Sequence, residues 1–504
     1  MPTLRFLVFA LVAVLTGLSG CEKPAQVRNV VFIISDDHAA DVTGAYGNEI
    51  VRTPHIDALA AEGVLFDRAF ANAPMCSASR QSLMTGKYPH AAGVTLLRTS
   101  FPEEQVTLAE HLGEHGFKTG QIGKAHYNNS LPHGFAYRVT RADHNAYVDE
   151  LSASEIPDVP ARPVWRPFRD DARIWLNADM LPGGQYDRHS IGTFYARKAA
   201  DFIAANTSDP FFLVVGFHEP HSPFNFPVEY AGKYDPANMP LPQGSDEDDR
   251  WVPAIFRDLT EADRRGIIAS YYTSVEYMDK NTGIVLDALA ANNLMDETLV
   301  VYLGDHGYLL NDHLRFEKHM MWEPAIRSPF VMRAGNRFEP GRITDALSEL
   351  VDLVPTVLDV LELPPMEGLQ GESLLPVLAG DAETHKGYVF AEFLADNKAM
   401  VRTDTWKYIF TSGKRDLGQG YATGLPPSGL LHRLYNLEDD PDEQHDVAGR
   451  PENEVVLQAM QQLMLTHFKE THPNVAEFPA GLSVDEALTW FCEPPDIGAN
   501  LDAM

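Results

Sequence analysis

The chain has 504 residues, 44% hydrophobic and 22% charged, enough for two domains with a large buried core. With 40 Lys and Arg against 71 Asp and Glu, the formal net charge is −31. That balance argues against nucleic acid, which is bound by massed cations, and an anionic ligand would have to be met by cations gathered locally. The three cysteines, Cys21, Cys76 and Cys492, are too few and too scattered for a disulfide framework or a zinc cluster, and neither Cys76 nor Cys492 reads as structural.

At the N-terminus Arg5 precedes the apolar run Phe6–Leu18, too short for a membrane span, which takes about 20 residues. A basic start, a short apolar core and small residues at its end read as a secretory signal peptide over residues 1–20. Leu18-Ser19-Gly20-Cys21 resembles the bacterial lipobox, which implies cleavage before Cys21, lipid on its sulfur and export to the periplasm or cell envelope. A plain signal peptide or an N-terminal anchor is the alternative.

Val27–Ser35 is β-branched and continuous enough for a buried strand, and it ends in Asp36-Asp37-His38. Thr53–Gly63 reads as a helix, with Thr53 as cap, Pro54 in the first turn and Gly63 as stop. A strand over Val64–Ala71 leads to Cys76, which opens a helical segment with Arg80 one turn on. A helix over Thr107–His115 and a strand over Thr119–Gly123 lead to Lys124-Ala125-His126. Residues 128–190 are rich in Pro and Arg and read as long loops that shape a substrate site.

A helix over Thr193–Asn206 precedes a strand over Pro210–Val215, which runs into His218-Glu219-Pro220-His221. The acidic loop Ser245–Asp249 matches no calcium-hand spacing and reads as solvated. Glu261–Asn292 is a long helix or helix pair, Thr298–Leu303 a third buried strand ending in Gly304-Asp305-His306-Gly307, and Asp352–Leu361 a helix. Tyr388–Phe393, Met400–Thr411 and Leu431–Leu437 look like antiparallel strands, and Glu452–Glu470 like a helix packed on them.

Alternating strands and helices predict an α/β fold with a mostly parallel central sheet over 27–380, a smaller C-terminal α+β domain with an antiparallel sheet over 385–475, and an acidic tail over 476–504. Ligands of parallel α/β sheets bind beyond the carboxyl ends of strands, so the three polar clusters can meet at one edge. Taken singly, an Asp pair at a strand end is more often a cap or salt bridge, and Gly-Asp-His-Gly a turn. Three carboxylates with one further ligand suit Ca²⁺ or Mg²⁺ better than zinc.

Five motifs in unbroken order resemble the formylglycine-dependent sulfatase family of the alkaline-phosphatase-like superfamily. They are Asp36-Asp37, Cys76-Ser77-Ala78-Ser79-Arg80 with Thr85-Gly86-Lys87-Tyr88-Pro89-His90, Gly123-Lys124-Ala125-His126, His218-Glu219-Pro220-His221, and Gly304-Asp305-His306-Gly307. Leu434–Pro441 is similar to the family's C-terminal signature. The resemblance implies that Cys76 is oxidised to formylglycine by a maturation enzyme. It also implies that Asp36, Asp37, Asp305, His306 and the modified Cys76 hold one Ca²⁺. His306 stands where many members have Asn and some have His; Ala78 stands where most have Pro and some bacterial members have Ala.

By the same resemblance Arg80 holds the modified residue and neutralises the carboxylates, and Lys124 and Lys318 contact the sulfate. His126 holds or deprotonates the hydrate, and His221, rather than His218, protonates the leaving oxygen. His38, His90 and His319 line or support the pocket, while Asp312 and His313 have no assigned role. The expected activity is hydrolysis of sulfate esters on carbohydrates, with membrane contact only through the N-terminal lipid. A phosphate or phosphonate monoester hydrolase of the same superfamily is the alternative, and a sulfoglycan-binding lipoprotein with unconverted Cys76 a third reading.

Overall fold

The computed structural model describes residues 26–151, 167, 185–248, 252–414 and 429–497. The signal peptide, the lipobox and Cys21 lie outside the described residues, as do much of the 128–190 segment and Asp249.

The strands of the main sheet are β1 (Asn29–Asp36), β2 (Val64–Phe66), β4 (Lys118–Gly123), β5 (Tyr137–Val139), β6 (Phe211–Pro220), β7 (Thr298–Gly304), β8 (Phe330–Ala334) and β9 (Arg342–Thr344), with the two-residue β3 (Ala69–Phe70) pairing aside with β10 (Ser348–Glu349). Among the described residues the main sheet runs in the order β5-β4-β6-β1-β7-β8-β2-β9. All neighbours are parallel except β8, which opposes both β7 and β2. The expected mostly parallel α/β sheet is therefore present.

Its centre is β6-β1-β7, the three strands whose ends carry the polar clusters. Side chains alternate between two cores, as a period of two requires. Val31, Ile33, Leu213, Val215, Val300 and Tyr302 face one core, which includes residues of α1 (Pro54–Glu62), α5 (Ile191–Ala205) and α6 (Glu261–Ala291). Val30, Phe32, Ile34, Phe212, Val214, Val301 and Leu303 face the other, which includes residues of α2 (Cys76–Thr85), α3 (Leu108–Glu114) and α7 (Leu353–Val360). Both faces being buried, these strands read as continuous apolar runs. Helices are numbered here where they span seven or more residues.

A second sheet, β11 (Val389–Phe393), β12 (Lys398–Arg402), β13 (Trp406–Thr411) and β14 (Leu431–Asn436), is antiparallel throughout, as expected. It packs with α8 (Glu454–Thr471) in a core of its own.

Three expectations need correction. Residues 128–190 are not all loop: β5 and α4 (Arg141–Glu150) lie within them, α4 opened by a Thr140–Asp143 capping box. Met400–Thr411 is not one strand but the hairpin β12–β13, closed where Thr403 N donates to Trp406 O at 2.8 Å. The segment after 476 is not merely an acidic tail. It forms α9 (Val484–Phe491), capped by Ser483 and Glu486, whose Leu488 and Phe491 join the C-terminal core. Cys492 follows it, fully buried, its thiol pushed well up by burial, so its role is packing. Among the described residues no helix is long and apolar enough to cross a membrane.

Candidate active site

Because β1, β6 and β7 are adjacent and parallel, their carboxyl ends share one edge. Asp37, just beyond β1, takes a left-handed backbone (φ 62°) and donates its N–H to Asp305 Oδ1 at 3.1 Å. This joins the ends of β1 and β7. All ten residues of α2 are buried, and Cys76 is its first residue. Residues four apart share a helix face, so Cys76 and Arg80 point to the same side.

Arg80 then ties the site together. Its Nε donates to Asp305 Oδ2 at 2.8 Å, its Nη1 to the Lys124 carbonyl at 2.9 Å, and its Nη2 lies 3.9 Å from Asp36 Oδ1. The next residue, Gln81, donates to the His126 carbonyl at 2.8 Å. One turn of α2 thus fixes the Lys124–His126 loop against the carboxylates.

The loop passes close to the sheet through two glycines. A Cβ on Gly123 would stand 2.1 Å from the Gly216 carbonyl oxygen, and one on Gly216 would stand 2.2 Å from the Lys124 carbonyl oxygen. Gly123 also has φ +87°, which glycine adopts without strain.

Asp36, Asp37, Cys76, Asp305 and His306 converge as expected. Donor atoms of Asp36, Cys76, Asp305 and His306 all lie within 4.8 Å of one another, as do those of Asp36, Asp37, Cys76 and His221. His306 Nε2 is 3.4 Å from Cys76 Sγ and 3.5 Å from Asp37 Oδ1. Lys318 Nζ lies 3.0 Å from Cys76 Sγ and 2.6 Å from Asp37 Oδ1, and Lys124 pairs with Asp36. His221 Nε2 is 3.8 Å from Asp37 Oδ2. His126 lies close enough to Cys76 for each to act on the other's protonation.

These charges act strongly on one another because the cluster is buried. Burial would raise the Cys76 thiol, but Lys124, Lys318 and His306 hold it well below its ordinary value. Burial and the Cys76 charge likewise push Asp36 up, yet Lys124, His221 and Arg80 prevail and hold it below the usual carboxylate range. Asp305 goes the other way: burial and the Asp36 charge push it up to about 7. Burial opposes protonation of His306, but Asp305 and Cys76 raise it to about 9.

A divalent cation fits this donor set. Asp36 Oδ1 and Asp37 Oδ2 are buried without a hydrogen-bond partner, and Asp305 is driven toward neutrality by burial and by the neighbouring Asp36 carboxylate. Mostly carboxylate oxygens with one imidazole suit a hard ion.

Of the supporting histidines, His38 lies beneath the cluster, its Nδ1 2.8 Å from Tyr302 Oη, and burial lowers it to about 4. His319 stacks on Phe393 with ring centroids 4.8 Å apart. His90 does not line the site: its ring nitrogens meet Glu392 (2.8 Å) and Thr471 (3.0 Å) of the C-terminal layer. His313 stacks on Trp322 and lies 2.9 Å from Asp248, which is buried rather than solvated.

Beside the cluster lies a cavity of about 460 Å³, lined by Lys124 and His221 together with Arg141, His144, His218 and Glu219. Sequence reasoning assigned no role to Arg141 or Glu219. The first lay in a segment read as loop. The second sits in a strand five residues longer than its apolar run, because polar residues continue β6 to Pro220.

The family model for sulfatases matches residues 28–363. The chain belongs to the sulfatase family. A second family model, for the C-terminal part of N-sulphoglucosamine sulphohydrolase, matches residues 311–470. An ulvan-active sulfatase of Formosa agariphila is 28% identical over 85% of this chain and 78% of its own length. A solved structure described as in complex with its substrate D-glucosamine-2-N,6-O-disulfate superposes with a TM-score of 0.71 at 20% identity, covering 89% of this chain and 99% of its own. The phosphonate monoester hydrolase of Agrobacterium radiobacter superposes with a TM-score of 0.74 at 22% identity, covering 90% and 97%. At that identity the two structures speak to the fold alone. This sulfatase is a sulfuric ester hydrolase, and its buried acidic cluster around a cysteine is where such chemistry fits.

Proposed function

We propose that this sulfatase hydrolyses sulfate esters on carbohydrates, with Cys76 converted to formylglycine by a maturation enzyme and one Ca²⁺ held by Asp36, Asp37, Asp305, His306 and the converted residue. The observation that carries the reading is the convergence of those side chains, with Lys318 3.0 Å from the sulfur. Sulfated carbohydrate as substrate class draws on the relative active on ulvan and the fold neighbour bound to a sulfated glucosamine. Export as a lipoprotein rests on the N-terminal sequence alone.

A thiol lacks what the reaction needs; the hydrated aldehyde supplies one hydroxyl to attack sulfur and a second whose collapse releases sulfate. The ion, when bound, polarises the sulfate oxygens and the nucleophile. The remaining steps belong to this chain's own side chains. Lys124 and Lys318 are cations fixed beside the reacting group, placed to stabilise charge on the sulfate oxygens without reorganising. Arg80 holds Asp305 and faces Asp36, keeping both carboxylates aimed at the centre.

The two histidines divide the proton work. Burial opposes protonation of His221, but the Asp37 and Asp36 charges hold it above its ordinary value, so it can donate to the leaving oxygen. Burial keeps His126 below its ordinary value, hence neutral and able to accept the hydrate's proton. Environments that push like groups apart in this way assign acid and base.

The test is a parallel assay of 4-nitrophenyl sulfate and 4-nitrophenyl phosphate with Ca²⁺, together with mass spectrometry of the Cys76 peptide from the native host. Faster sulfate release and an aldehyde at Cys76 are expected. An unconverted thiol would sink the mechanism, and a faster phosphate rate would make the protein a phosphoester hydrolase.

A further inference from the structure

The 460 Å³ cavity opens between the end of β6, the first turn of α4, the start of α5 and the segment 222–227. Its charge is unusual for a chain of net charge −31. Among its described lining residues are Lys124, Arg141 and three histidines, and Glu219 is the one acid.

Arg141 is exposed. No described residue hydrogen-bonds or ion-pairs its guanidinium, which acts at longer range on Glu219 and His218. His144, by contrast, is fixed, its Nε2 2.8 Å from the His189 carbonyl oxygen. Glu219 is 3% exposed, yet its Oε2 has no hydrogen-bond partner. A buried carboxylate oxygen left unpaired is costly unless a ligand or water satisfies it. Pro223, Phe226 and Pro227 supply apolar wall. A polar floor, an apolar wall and a cation that no described residue pairs together match a sugar ring bearing an anionic group.

Building on the sulfatase reading, we propose that this cavity is the subsite for the sugar that carries the scissile sulfate, and that Arg141 selects sugars bearing a second anion, a carboxylate or another sulfate. Lys124 and His221 belong to both the cavity and the catalytic cluster, so a ring seated there places its ester oxygen beside His221. Glu219 accepts from a ring hydroxyl, and Arg141 meets the second anion by the bidentate geometry that guanidinium offers carboxylate and sulfate alike.

The experiment is calorimetric titration of the Ca²⁺-loaded full chain carrying Cys76→Ala, which binds without turnover. Two matched pairs of probes are used: glucosamine N,6-disulfate against N-acetylglucosamine 6-sulfate, and glucuronic acid 2-sulfate against glucose 2-sulfate. In at least one pair the doubly charged sugar should bind about tenfold tighter, as a charge-assisted hydrogen-bond pair warrants. The pair that shows the preference tells sulfate from carboxylate.

Adding Arg141→Ala should erase that preference, and Arg141→Lys should retain part of it. Because Arg141 is exposed, neither change threatens folding. Equal binding within both pairs, no measurable binding of either doubly charged sugar, or a preference that survives Arg141→Ala would overturn the proposal. Turnover of 4-nitrophenyl sulfate by the unsubstituted enzyme is scored separately. Its absence alongside an Arg141-dependent preference would sink the catalytic reading and leave the subsite standing.

Discussion

Cys76 is met by two lysines, three histidines and three carboxylates, so single substitutions around it separate chemistry from folding. Cys76→Ala removes one buried sulfur, and turnover should vanish while the melting temperature moves by only a few degrees. Lys318→Ala removes a fixed cation beside the reacting group and should lower kcat by roughly 10²–10³, the range seen for single preorganised donors. If His221 is the general acid, His221→Ala should slow sugar sulfates far more than 4-nitrophenyl sulfate, whose leaving group needs no proton. Equal losses on both would remove that role. Calcium binding should also be proton-coupled. His306, raised to about 9, and Asp305, raised to about 7, both hold protons that ligation must displace. Apparent affinity should therefore fall as pH drops from 9 to 6, with a binding enthalpy that depends on buffer ionisation. His221, Asp305 and His306 were legible because each stands in a short motif at a strand end, Cys76 because it opens a helical motif, and Lys318 only through the family resemblance. His90 supports the Cys76-bearing segment rather than lining the pocket: a motif position does not say which way a ring turns, and here both nitrogens are taken by the C-terminal layer.

At the scale of elements, the site depends on how closely the loop after β4 can approach the end of β6. Gly123 and Gly216 make that approach, and in the sequence they look like any strand-end glycines. Gly216→Ala would drive a methyl group into the Lys124 carbonyl oxygen, an overpacking contact against backbone that cannot swing away. It should destabilise by roughly 1–3 kcal/mol and cost activity by displacing Lys124, read by thermal denaturation and kcat together. An unchanged kcat would show that Lys124 needs no such precise seat. Apolar β-branched runs revealed β1, β6 and β7, since strands buried on both faces leave a continuous signal. The same signal stopped short in β6, whose last five residues include polar site residues. It also merged β12 and β13, because the turn Asp404-Thr405 interrupts the pattern for only two residues. α4 escaped notice inside a Pro- and Arg-rich stretch, since its ten residues bury only His144 and show little apolar periodicity.

Across the whole molecule, the C-terminal layer clamps the segment that bears Cys76. Asn72 donates to the Phe390 carbonyl and accepts Val351 N–H, His90 meets Glu392, and Asp496 accepts from the backbone N–H groups of Thr95 and Leu96 at 2.9 and 3.2 Å. The parallel sheet and the antiparallel one were both legible in the sequence, but this clamp was not, because its contacts join residues 279–401 apart. At its centre His467 stacks on Phe390 (4.0 Å) and His472 on His90 (5.3 Å). Burial lowers His467 well below 6.5, helped by the His90 and Lys386 charges, and burial with the His90 charge lowers His472 to about 4. Above pH 6.5 both are neutral whether the chain is folded or not, and the clamp is at full strength. Below it the unfolded chain takes up protons that the folded one refuses, so stability falls as pH drops from 6.5 toward 4. Changing both residues to Gln should remove that uptake. The melting temperature of the parent should then fall between pH 7 and pH 5 by about 3–5 °C more than that of the double variant. Because the acidic cluster around Cys76 is the same in both proteins, its own titration cancels in the comparison. Identical slopes would mean that the acid sensitivity does not reside in His467 and His472.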